Sequence, residues 1–103
     1  MSALMTVAEL ARAVGAFEVR GDGRIAFSSV STDTRSLTAG ALFVALRGEH
    51  FDAHEFVGAA RERGAVAAVI ERAVDVDLPQ IVVADSRRAL CRGAAQWRAR
   101  FTL

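Results

Sequence analysis

Ala41-Leu42-Phe43-Val44-Ala45-Leu46 is an unbroken apolar run, with Gly40 directly before it and Gly48 two residues after it. Such a run is too short for a typical globular helix and shows no polar alternation. It predicts a strand covered on both faces. A strand covered on both faces needs packed layers above and below, which points to an α/β architecture. Polar chemistry collects on either side of the run in sequence. Asp33, Thr34 and Arg35 precede it, and Glu49, His50 and Asp52 follow it. Small-molecule binding is expected at these two ends.

The segment before the run reads as a helix and paired strands. Thr6 and Glu9 have capping-box spacing, and Val7, Leu10, Ala11 and Val14 recur at helical period up to Gly15. Phe17–Arg20 and Arg24–Phe27 alternate around Gly21-Asp22-Gly23, which predicts a β-hairpin. Ser29–Asp33 is expected to continue as an extended segment. After the run, Asp52 and Glu55 have N-cap spacing and predict a helix through Val57, Ala60 and Arg63, with Gly64 at its C-terminal stop. Val66–Ile70 is a second apolar strand, so strand, helix and strand form a parallel unit with a right-handed crossover. Gln80–Ala84 is a third apolar strand, entered through Pro79. Asp85 or Ser86 caps a last helix whose stripe is Leu90, Ala94, Trp97 and Phe101, and Gly93 within it predicts close packing. The expected fold is α/β. It has a small mixed sheet with an N-terminal helix and β-hairpin, a central β-α-β unit and a C-terminal helix.

Composition limits the chemistry. A chain of 103 residues is one domain by size. Its formal net charge of +1 gives no electrostatic case for nucleic acid or an anionic membrane. All 13 basic residues are Arg, so no lysine is present for a phosphate loop or a Schiff base. One cysteine, Cys91, forms no internal disulfide, and no run approaches the roughly 18 apolar residues of a membrane span. A cytoplasmic protein is expected.

Candidate sites follow from residue type and spacing. Glu49, His50, Asp52 and His54 lie close enough in sequence to consider a metal, but Asp52 is assigned to capping and His54 would face elsewhere from the first helical turn, so solvated polar residues at a loop–helix junction are the better reading. Cys91 sits among arginines with no histidine near in sequence, which favours an inert thiol. Gly21-Asp22-Gly23 is a turn and does not match a nucleotide loop. The helix start after Gly48 is in principle an anion site, and Asp52 would occupy its donors. Asp33-Thr34-Arg35 is either a local Asp–Arg turn or a set of groups able to hydrogen-bond a planar heterocycle, with Phe51 either stacking on that ring or packing in the core.

The string S-T-D-T-R-S-L-T-A-G-A-L-F-V-A-L-R-G-E-H-F-D-A-H-E-F resembles the N-terminal domain of the Mur ligases. Further matches are G-A-V-A-A-V-I at Gly64–Ile70 and L-P-Q-I-V-V-A-D-S-R-R-A-L at Leu78–Leu90, so the likeness runs from about Thr6 to Arg100. Within the family, Asp33-Thr34-Arg35 and Asp52-Ala53-His54 resemble the MurF type more than the MurE type, whose motifs usually read D-S-R and D-G-H. The resemblance implies a substrate-binding domain that holds the uridine end of UDP-N-acetylmuramoyl-tripeptide. It implies contacts from Thr32, Thr34 and Arg35, and from Glu49, His50 and Phe51 in a loop that varies within the family. ATP, Mg²⁺ and the catalytic lysine are implied for a central domain, and the incoming D-alanyl-D-alanine for a third. The chain stops at Leu103 before any Gly-x-x-Gly-Lys-Thr-Thr loop. It is expected to be an excised domain, inactive alone, of an ATP-dependent ligase of peptidoglycan precursor synthesis. The competing readings are a MurE-type domain and a non-catalytic interaction module with the same fold.

Overall fold

A computed structural model describes residues 5–46 and 53–101, with side chains described for 5–46 and 54–95. The elements are β1 (Met5–Thr6), α1 (Val7–Val14), β2 (Glu18–Arg20), β3 (Ala26–Phe27), β4 (Ser29–Ser31), β5 (Ala41–Val44), a 3₁₀ turn (Ala53–Phe56), α2 (Val57–Glu62), β6 (Ala67–Ile70), β7 (Gln80–Val82) and α3 (Ser86–Phe101). A five-stranded sheet runs in the order β2-β7-β6-β5-β4, and β1 pairs with β3 in a separate two-stranded sheet. The pairs β4–β5, β5–β6 and β6–β7 are parallel, and β2 lies antiparallel to β7, so the main sheet is mixed.

Local chemistry explains where α1 starts and stops. Thr6 N–H donates to Glu9 Oε1 at 2.9 Å and Glu9 N–H donates to Thr6 Oγ1 at 3.2 Å, closing the capping box. Gly15 ends the helix at φ 67°, in the left-handed region where a Cβ is costly. Val7, Leu10, Ala11 and Val14 are buried, as their spacing predicts.

The central run is β5, and all four of its residues are buried. The strand proper is two residues shorter than the apolar run, although Ala45 N–H still bonds Val69 O at 2.9 Å. Strand alternation divides the core in two. Leu42 and Val44 of β5, Val69 of β6 and Ile81 of β7 pack with Leu10, Val14 and Phe27 on one face. Ala41, Phe43, Ala45, Ala68 and Ile70 pack with Leu37, Val57 and Ala60 on the other. Each fully buried large side chain contributes roughly 1.5–3 kcal/mol relative to exposure, so both faces hold the sheet in place.

Two expectations are corrected. Phe17–Arg20 and Arg24–Phe27 do not form a hairpin with each other. Glu18, Val19 and Arg20 pair with Val82, Ile81 and Gln80, while Ala26 and Phe27 pair with Thr6 and Met5. Alternation marks both segments as strands but does not select their partners. Asp22 Oδ1 accepts from Arg24 N–H at 2.9 Å, and Ala8 N–H and Val7 N–H donate to Gly23 O and Ile25 O, so the chain turns back over the start of α1. The stripe of α3 is also displaced. Ser86, Ala89 and Gly93 are buried, Leu90 and Ala94 are partly so, and the side chains of Trp97 and Phe101 lie outside the described residues. α3 packs against α1.

The helix expected from Asp52 begins instead as the 3₁₀ turn and becomes α2 at Val57. Its N-cap, Phe56, makes no side-chain capping bond, and Asp52 lies outside the described residues. At α3, Asp85 Oδ1 accepts from the backbone N–H groups of Arg87 at 3.0 Å and Arg88 at 3.2 Å, so Asp85 supplies the cap and Ser86 is the first helical residue.

Candidate functional site

The cleft is built at the C-terminal edge of the parallel strands. Ser31, at the end of β4, is in register with Phe43 near the end of β5. The turn after β4 therefore reaches the same edge as Leu46, although twelve residues of sequence lie between Asp33 and Leu46. Thr32–Arg35 thus lies beside the central strand's far end, away from its entry at Gly40, although it precedes the strand in sequence. Open α/β sheets commonly place ligands outside this edge.

Thr32, Asp33, Thr34, Arg35, Phe43, Leu46 and Phe56 line a cleft of about 530 Å³. That volume suits a small organic ligand. The turn holds itself together. Ser31 Oγ donates to Asp33 O at 2.8 Å, Arg35 N–H donates to Asp33 Oδ1 at 2.8 Å, and Ser36 N–H donates to Asp33 O at 3.3 Å. Arg35 also clasps the Asp33 carboxylate side-on, through Nε to Oδ1 at 3.2 Å and Nη2 to Oδ2 at 3.0 Å. The local Asp–Arg turn is therefore real, and it leaves Thr34 half-buried at the cleft with a hydroxyl that bonds no other described residue.

Hydrogen bonds from the Arg35 side chain, and secondarily from its backbone, hold the Asp33 carboxyl below its ordinary value of 3.8. A lowered folded pKa means that the pair's stabilising contribution is present above the unfolded value and is lost as pH falls through the folded value. Both side chains are well exposed, so the effect on overall stability is small. In a carboxyl-detected NMR titration, Asp33 is expected to reach its midpoint below 3.8 in the wild type and to move up towards the ordinary value in Arg35→Ala.

Of the residues singled out from sequence, Thr32, Thr34 and Arg35 come together in the cleft, while Glu49, His50 and Phe51 lie outside the described residues. Phe43, Leu46 and Phe56 supply apolar walls that sequence reasoning missed. Phe43 and Leu46 belonged to the core run, and Phe56 resembled an ordinary helical position. Its exposure of 44%, large for a phenyl ring, marks it out only in the fold. His54, weighed as a metal ligand, is buried, and its Nε2 accepts from Glu71 N–H at 2.8 Å. Among the described residues no group of three or more His, Cys, Asp or Glu side chains could hold a metal ion. Cys91 is exposed on α3. Among the described residues no helix is long and apolar enough to cross a membrane.

The family model described as "Mur ligase family, catalytic domain" matches residues 26–100, most of the chain and all of the cleft just described. The chain belongs to the Mur ligase family. Among Mur ligases of known assignment, the UDP-N-acetylmuramoyl-tripeptide–D-alanyl-D-alanine ligase of Escherichia coli K12 is 52% identical over 71 residues, covering 69% of this chain and 16% of the relative. The UDP-N-acetylmuramoyl-L-alanyl-D-glutamate–2,6-diaminopimelate ligase of Geobacter sulfurreducens is 41% identical over 93 residues, covering 88% of this chain and 18% of the relative. A crystal structure of MurF from Acinetobacter baumannii superposes with a TM-score of 0.82 at 34% identity, over 93% of this chain and 21% of that one. The chain thus spans about a sixth to a fifth of the length of these Mur ligases.

Proposed function

We propose that this chain is the N-terminal, UDP-N-acetylmuramoyl-tripeptide-binding domain of a MurF-type ligase, and that its cleft holds the uridine end of that substrate. The observation that carries the reading is the meeting of Thr32, Thr34 and Arg35 with the apolar walls of Phe43, Leu46 and Phe56 in one cleft. A flat heterocycle needs such a pairing of apolar cover with a few directional polar groups. The higher identity to a D-alanyl-D-alanine ligase favours MurF, while the longer match to the diaminopimelate ligase keeps the MurE type as the second reading. Glu49, His50 and Phe51 are assigned to the uridine side by the same proposal.

The parent enzyme would activate the peptide carboxylate with ATP and pass it to the D-alanyl-D-alanine amine, forming an amide of a peptidoglycan precursor in the cytoplasm. The residues described here do not fit ATP and Mg²⁺. The chain has no lysine, Asp85 and Glu71 already occupy N–H donors at the start of α3, and no cluster of metal ligands is present among the described residues. Those groups belong to other parts of the parent in this reading. The contribution of this domain is to bind and orient one substrate, which lowers the entropic part of the barrier.

Thr34→Val tests the assignment. It keeps the shape of the side chain and removes its hydroxyl, so affinity for UDP-N-acetylmuramoyl-tripeptide should fall about fivefold, or about 1 kcal/mol, with the melting temperature preserved. Isothermal titration of the 103-residue chain reads this directly. An unchanged affinity would remove Thr34 from the site, and a wild-type chain that ignores millimolar ligand would favour the interaction module.

A further inference from the structure

A second polar cluster stands at the same sheet edge, outside the cleft. His54 is only 3% exposed. Its Nε2 accepts from the backbone N–H of Glu71, the residue directly after β6, at 2.8 Å. Glu71 Oε2 in turn accepts from Ser86 N–H at 2.9 Å, where α3 begins. A backbone N–H can only donate, so Nε2 is the acceptor in this bond. The ring therefore links the 3₁₀ turn to the end of β6, and the Glu71 carboxylate extends that link to α3.

The same turn carries the outer wall of the cleft. Phe56 is two residues after His54, ends the 3₁₀ turn and lines the cleft. At the start of α2, Phe56 has no side-chain capping bond of its own. Val57, directly after Phe56, is fully buried in the core, and the His54 bond fixes the turn on the other side of Phe56. We propose that His54 is a positioning residue for the cleft: its buried imidazole, held by the Glu71 N–H, sets where the Phe56 ring stands against a bound heterocycle. The identity of the occupant rests on the uridine reading above, whereas the placement of the wall does not.

Two variants of the 103-residue chain separate these claims. His54→Leu fills the space without an acceptor, and His54→Gln places an amide oxygen near the position of Nε2. Ring signals of ¹³C-labelled phenylalanine report the wall, and titration with UDP reports the site. His54→Leu is expected to displace the Phe56 signals and to weaken UDP binding about tenfold, while His54→Gln stays within about twofold of the wild type. A role in stability alone would lower the melting temperature of His54→Leu and leave its Phe56 signals and UDP affinity unchanged, and that result overturns the proposal. Should His54→Leu not fold, His54→Gln decides. Displaced Phe56 signals in that variant count against the proposal, and retained signals count for it. Displacement of Phe56 in His54→Leu with a wild type that does not respond to UDP supports the positioning role and refutes the nucleotide reading.

Discussion

Phe43→Ala is expected to destabilise the domain by about 3–5 kcal/mol, the range for removing a buried phenyl ring and leaving its cavity. Phe43 is 1% exposed, lies in the strand at the heart of the sheet, and packs on the face covered by Val57 and Ala60. Neighbouring positions on that face are mostly Ala41, Ala45, Ala60 and Ala68, which are too small to close the gap. The loss is a large fraction of the roughly 5–15 kcal/mol that holds a typical domain. Denaturant melts of Phe43→Ala and Phe43→Leu check it. The leucine variant should lose less than half as much, because it restores most of the apolar contact. Equal losses in the two variants would mean that the phenyl ring is needed for shape rather than volume. Phe43 also lines the cleft, so any fall in ligand affinity for Phe43→Ala must be measured under conditions where the variant is still folded.

The features legible in the sequence were those whose cause is local. The capping box at Thr6 and Glu9 depends on two side chains three residues apart, and its geometry is as the spacing predicts. The burial of Ala41–Val44 follows from an apolar run that no wet face could accommodate. Pairing was less legible, because Glu18–Arg20 carries the same alternation whether its partner is Ala26–Phe27 or, as found, Gln80–Val82. The cleft was half legible. Thr32, Thr34 and Arg35 stood out as a polar cluster, but only the parallel register of β4 and β5 brings them to the end of β5 where Leu46 and Phe56 complete the walls. Gln80 falls by sequence within an apolar strand. It is 3% exposed, and its amide accepts from Val74 N–H and donates to Val74 O and Val76 O, which fastens the connection before β7. His54 was likewise hidden. Its partner, Glu71 N–H, is 17 residues away, and no spacing rule reveals a side chain bonded to a distant backbone group.

Gly64 shows the same limit and yields the second large effect. Its position after α2 predicts a C-terminal glycine stop, and the observed φ of 110° agrees, since side chains rarely adopt that backbone conformation. A second constraint comes from across the fold. Gly64 O accepts from Gly40 N–H at 2.9 Å, and a Cβ at Gly64 would lie 2.8 Å from Ala39 Cα, a separation that real Cβ atoms essentially never show. Because that atom is backbone, no side-chain rotation relieves the clash. The turn that leads into β5 must move, or the end of α2 must. Gly64→Ala therefore combines left-handed backbone strain with overpacking, each worth about 1–3 kcal/mol, against less than about 1 kcal/mol recovered from the unfolded chain. A net loss of about 2–5 kcal/mol lowers the melting temperature of a domain this size by roughly 10–25 °C. Gly58→Ala is the control, because its added Cβ finds nothing nearer than Val76 Cγ2 at 4.0 Å, and its helical position favours alanine. A loss confined to the backbone-strain share, about 1–3 kcal/mol relative to Gly58→Ala, would show that Gly64 is a helix stop only and that the entry to the central strand does not depend on its close approach to Ala39; comparable melting of the two variants would refute both constraints.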